Sequence, residues 1–81
     1  MLQASVRIHH LQSNIDFYTV KEPTDSHGDA FEQFLLLSER ISKMPGDHTT
    51  MVLETTNGPK MLSRKFLTDS ILSLSVTDDG N

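Results

Sequence analysis

From Leu2 to His10 apolar and polar positions alternate. Leu2, Ala4, Val6 and Ile8 point one way, and Gln3, Ser5, Arg7 and His9 the other. Period-two alternation predicts a half-buried strand. Gln12-Ser13-Asn14 marks a turn, and Ile15 to Val20, rich in β-formers, predicts a second strand ended by Pro23. After a loop over Thr24-Asp25-Ser26-His27-Gly28 the period changes. Asp29 is placed to cap a helix, with Glu32 in the capping-box position, and Met44-Pro45-Gly46 stops it. At about 100° per residue, Phe31, Phe34, Leu35, Leu37, Ile41 and Met44 share one broad face. Leu36 breaks the pattern, projecting among Glu32, Glu39, Arg40 and Lys43 on the polar side.

The second half returns to strands. Thr49 to Thr56 predicts a third, and Asn57-Gly58 a hairpin. Pro59 requires a modified turn, because it removes a donor where pairing resumes. Lys60 to Leu67 predicts a fourth strand, Thr68-Asp69 a turn, and Ser70 to Val76 a fifth, with Leu72, Leu74 and Val76 on one face. The expected order is β-β-α-β-β-β, an α+β fold with a single helix packed on a mostly antiparallel or mixed sheet. A β-grasp arrangement has this order. Residues 1–76 are expected to form one domain, and 77–81 a frayed tail.

The bulk numbers narrow the function classes. A chain of 81 residues suits one domain. No apolar run approaches the roughly 20 residues of a spanning helix, so no membrane role is expected. The N-terminal segment lacks the charged start and apolar stretch of a signal peptide, which makes the cytoplasm the default location. With no cysteine, thiol catalysis and cysteine-based zinc sites are excluded. The net charge of −4 argues against nucleic acid as the main partner and suits a basic protein surface.

Candidate chemistry is sparse. His9 and His10 are neighbours on a strand and face opposite sides, while His27 and His48 fall in loops at opposite ends of the helix. No metal or other cofactor is implied. Glu22, Asp25, Asp29 and Glu32 surround the helix start, where the helix dipole favours acids. Ser63-Arg64-Lys65, with Lys60, is the single concentration of positive charge. It supports a narrow basic patch and, as one alternative, a nucleic-acid-binding regulator using the Lys60 to Lys65 region. Catalytic triads, phosphate loops and nucleophile elbows are absent from the sequence, so no enzyme activity is expected.

What remains is apolar surface in excess of one helix–sheet interface. Leu36 lies on the polar helix face, and Tyr18, Val20, Val52 and Ile71 are expected on the sheet face away from the helix. The expectation is a small non-catalytic interaction module, an adaptor, inhibitor or accessory subunit. Its partner is another protein or, alternatively, a second copy in a homo-oligomeric subunit. The candidate partner-binding residues are Leu36, Glu32, Arg40, Tyr18 and Arg64.

Overall fold

The computed structural model of the chain describes residues 1–78. It is α+β, as the sequence pattern predicts, with six strands and two helices. The long strand β1 (Leu2–His10) turns through Leu11–Asn14 into β2 (Asp16–Tyr18). Asn14 takes the left-handed conformation there, with φ 57°, a conformation Asn tolerates better than most side chains. A short β3 (Glu22–Thr24) precedes helix α1 (His27–Ser42). Then come the hairpin β4 (Thr50–Thr55) and β5 (Gly58–Ser63), the one-turn helix α2 (Arg64–Thr68) and β6 (Ser70–Asp78).

Every ladder is antiparallel. β6 covers one edge of β1 along its whole length, from Leu2↔Asp78 to His10↔Ser70. A strand has two edges, so β2 and β3 share the other: Arg7↔Tyr18 to His9↔Asp16, and Leu2↔Thr24 to Ala4↔Glu22. Between these ladders, three residues (Thr19, Val20, Lys21) face two (Ser5, Val6), the count of a β-bulge. The Thr19 hydroxyl closes the gap by accepting from the Val6 N–H at 2.8 Å, while the Thr19 N–H donates to the Val6 carbonyl at 2.9 Å. The bulged stretch also carries the hairpin. Thr19 bridges Thr55, the Val20 N–H donates to the Glu54 carbonyl, and the Thr56 N–H donates to the Tyr18 carbonyl. A β-grasp sheet sets its first and last strands parallel; here β1 and β6 are antiparallel, so that likeness ends at element order.

Several local expectations are corrected. Ser26, not Asp29, caps α1: its side chain accepts from the Asp29 N–H at 3.0 Å. Asp29 itself lies in the first turn, where the helix dipole favours an acid. The helix phase also shifts. The buried line is Ala30, Ile41 and Met44, with Phe34 and Leu37 packed behind it. This spacing of four, three, four and three residues puts Phe31 and Leu35 on a flank, 53% and 49% exposed. The expected fourth strand ends at Ser63, whose side chain caps α2 by accepting from the Phe66 N–H. Pro23, expected to end a strand, instead lies within β3, an edge strand where its missing donor is tolerated. The hairpin turn is indeed modified: Thr56 and Asn57 form the loop, and Gly58 follows with φ 93°, which a glycine adopts without steric cost. β6 continues through Thr77 and Asp78, two residues into the expected tail; 79–81 lie outside the described residues.

The core gathers Val6, Ile8 and Phe17 from the sheet, Ile41 from α1 and Met44 just beyond its C-cap, Leu53 and Leu62 from the hairpin, and Leu67 from α2. The molecule is elongated, 43 × 23 × 19 Å, with a radius of gyration of 13.0 Å. A chain of this length packs to about 12 Å when compact.

Two substitutions test this account. Ile41→Ala should destabilise by about 2–5 kcal/mol, as buried truncations do, while Leu35→Ala in dilute protein should cost under about 1 kcal/mol. Urea melts by circular dichroism compare the two, and equal large losses would restore the original helix phase. Thr19→Val keeps the side-chain shape but strips the hydroxyl from the Val6 N–H. It should cost about 1–3 kcal/mol, the penalty of an orphaned buried donor, and should speed hydrogen exchange at Val6.

Candidate functional site

The sheet face turned away from α1 is set by the alternation of β1. Gln3, Ser5, Arg7 and His9 lie on it, with Tyr18 opposite Arg7 and Asp16 opposite His9 on β2. From β6 come Ile71, Ser73, Ser75 and Thr77, opposite His9, Arg7, Ser5 and Gln3. Arg7 grips Asp16 with two hydrogen bonds, Nε to Oδ1 at 2.9 Å and a terminal nitrogen to Oδ2 at 3.1 Å. The His9 ring stands 3.8 Å from the same carboxylate. The hydrogen bond from Arg7 holds the Asp16 carboxyl below its ordinary 3.8, and the same bond raises Arg7. A carboxylate so held is a weak base. The group is open to water on a flat face, so it orders β1 against β2 and gives the surface paired charge.

The hairpin extends this outward face. On β4 and β5 the inner positions are Met51, Leu53, Thr55 and Leu62, all buried or half-buried. The outer positions include Val52 and Met61, directly opposite each other and 53% and 71% exposed. Val20 lies beside them through its bond to Glu54, and Tyr18 beyond. Tyr18, Val20, Val52 and Ile71 are all exposed, as the alternation predicts. Met61 and Val52 are cross-strand neighbours, Val20 is tied to Glu54 two residues from Val52, and Tyr18 lies two residues before Val20, opposite Arg7. Met61 escaped the sequence pattern because the Asn57-Gly58 turn left the partner of Val52 open.

The other candidate residues are spread over the molecule. Leu36 is 46% exposed and lines a shallow groove with Glu39, Arg40 and Lys43. Glu32, one turn before Leu36, is exposed on the same helix. This group lies on α1, in the layer opposite Tyr18, so one small partner surface does not span both. Arg64 opens α2, half-buried, its backbone N–H donating to the Thr49 carbonyl. Lys65, one residue on, is tied to Asp69 at 3.1 Å. Lys60 sits opposite Leu53, on the inner side of the hairpin. The row of charge that a strand over 60–67 would present is therefore broken.

A half-open hollow of about 140 Å³ lies beside the bulge, lined by Val6, Val20, Pro23, Ala30, Phe34 and Leu74 among others. Its one ionisable lining residue is Glu22. Among the described residues no three His, Asp or Glu side chains converge on a metal-sized point, and no helix is long and apolar enough to cross a membrane. His10 is a packing residue, its ring stacked on Phe66 at 4.3 Å. No family model, curated protein or solved structure matches the chain.

The Arg7–Asp16 pair carries a pH signature. A carboxyl whose pKa falls on folding stabilises the folded state above its unfolded value, and that contribution fades as pH drops through the folded value. A carbon-detected titration should place the Asp16 midpoint below 3.8. Asp16→Asn should make stability less dependent on pH below about 4. A midpoint at or above the ordinary value would mean the ion pair does not persist in water.

Proposed function

We propose that this chain is a non-catalytic protein-interaction module, an adaptor, inhibitor or accessory subunit that docks on a larger protein through the outward face of its hairpin. The observation that carries this is the Val52–Met61 pair. Two large apolar side chains face each other across the ladder, both more than half exposed, so most of their apolar surface stays in water although a cross-strand pair itself is worth about 0.2–1 kcal/mol. Single exposed apolar residues are ordinary; a contiguous strip with polar margins marks a contact surface. Met61 supplies an unbranched side chain that adapts to a partner. Tyr18 supplies an aromatic body with a polar tip, a residue type that anchors interfaces. Glu54 and the Arg7–Asp16 pair would set orientation at the rim. The small hollow and the locked carboxylate support a binding role over chemistry, and the pairing of Lys65 with Asp69 disfavours a nucleic-acid role.

A photo-crosslinking residue at position 61, introduced in cells of the source, tests the proposal. It should give a discrete adduct with a larger protein, and the same residue at position 43, the C-cap of α1, should not. Val52→Lys should weaken formation of that adduct at least about tenfold, the loss of one good anchor. Adducts equal at both positions, or absent at position 61, would overturn the hairpin face as the docking surface.

A further inference from the structure

We infer that two copies of this chain associate through the free edge of β6, forming one continuous sheet across a two-fold axis. Among the described residues no strand pairs with the second edge of β6, which is nine residues long. An exposed edge is a template for further pairing, and proteins commonly block it with lysine, proline or a bulge. Two other edges among the described residues are blocked in that way: β3 follows Lys21 and holds Glu22 and Pro23, and β5 holds Pro59 and Lys60. β6 reads Ser-Ile-Leu-Ser-Leu-Ser-Val-Thr-Asp, with no lysine, arginine or proline and one charge at its last position. Its core-side residues Leu72, Leu74 and Val76 stay half-buried, because nothing packs beyond them.

The helix above the same edge is matched to it. Gln33 and Asp29 on one flank of α1 share surface with Glu22, Pro23 and Thr24 of β3, so the opposite flank overhangs β6. At about 100° per residue that flank is His27, Phe31, Leu35, Ser38 and Ser42. It has two exposed apolar side chains, two small residues and no acid, lysine or arginine, while Glu32, Arg40 and Lys43 lie elsewhere on the helix. A second copy fits this edge. Chains of net charge −4 repel through their charged faces, and this is a neutral one. A two-fold axis through Leu74 pairs Leu72 with Val76 of the other copy, Ser73 with Ser75, and Ile71 with Thr77. Apolar then meets apolar on the core side, and each Asp78 falls opposite Ser70, far from its twin. Strands are about 4.8 Å apart, so two helices each lying over a pair of strands come within about 10 Å, the distance of packed helices. Phe31 and Leu35 would then be covered by their counterparts.

Sedimentation equilibrium at micromolar concentration should give twice the 9.1 kDa chain mass. Leu35→Glu and Ser73→Lys touch different elements of the same edge, and each should weaken dimerisation at least about tenfold with circular dichroism unchanged. Met61→Lys, on the hairpin face, should leave the dimer intact, so failure here and failure of the hairpin proposal are read separately. A monomeric wild-type chain at that concentration would overturn the inference. So would a dimer that survives both edge substitutions, or one broken by Met61→Lys alone.

Discussion

A single surplus residue in one ladder governs the architecture. Where Thr19, Val20 and Lys21 face only Ser5 and Val6, the second edge of β1 cannot be followed by one continuous strand. The chain divides into β2 and β3, and the stretch between them turns its own hydrogen-bonding groups toward the hairpin. Thr19 makes the break tolerable, because its hydroxyl replaces the lost backbone acceptor for Val6 while the residue also bridges Thr55. Without that substitution a buried N–H would be left without a partner, at a cost comparable to a large share of a small domain's stability. The half-open hollow of about 140 Å³ lies beside this bulge, with Thr19, Val20 and Ala30 in its lining.

The same device sets how much apolar surface the molecule can hide. The hairpin is joined end-on through the bulge, so the protein is drawn out to 43 Å instead of stacking into a compact two-layer body. Small domains bury a low fraction of their surface even when compact, and elongation lowers it further. Only Ile8 and Leu67 among the large core side chains are fully enclosed. Apolar residues therefore surface in two separate places, the outer hairpin face and the neutral helix flank over β6. Among the described residues the β3 and β5 edges carry charge and proline, whereas the nine-residue edge of β6 carries no lysine or proline.

The legible parts of the fold are those in which local pattern and tertiary burial agree. β1 alternates in sequence and its span is as read, though Ser5 on the outward side is buried along with Val6 and Ile8. The helix was legible as an element, but its phase was not. Phe31 and Leu35 carry more apolar weight than Ala30, and a pattern weighted by hydrophobicity turns toward them, yet Ala30 is the residue that fits against the sheet at 1% exposure. α2 was hidden because Leu62, Phe66 and Leu67 can be read as alternating or helical over so short a span; the distinguishing signal was Ser63, three residues before the Phe66 N–H that it caps. β3 was hidden by Pro23, which marks a strand's end in general but is tolerated on an edge. Of the candidate site, the exposed side of the sheet followed from alternation alone. The Val52–Met61 pairing did not, because it depends on the exact hairpin register.

The two proposed surfaces sit on opposite sides of β1. β6 occupies one edge, and the hairpin hangs from the bulge on the other. Self-association through β6 therefore leaves both hairpin faces open and places them at the two ends of a continuous sheet. Such a dimer presents two identical docking strips held at a fixed separation by strands rather than by a linker. Rigid spacing makes the second contact intramolecular when the target offers two matching sites, and ineffective when it does not. The geometry would thus favour a repeated or two-fold symmetric target over a lone copy of the same surface. That selectivity would come from the free edge of β6, not from any extra contact at the hairpin.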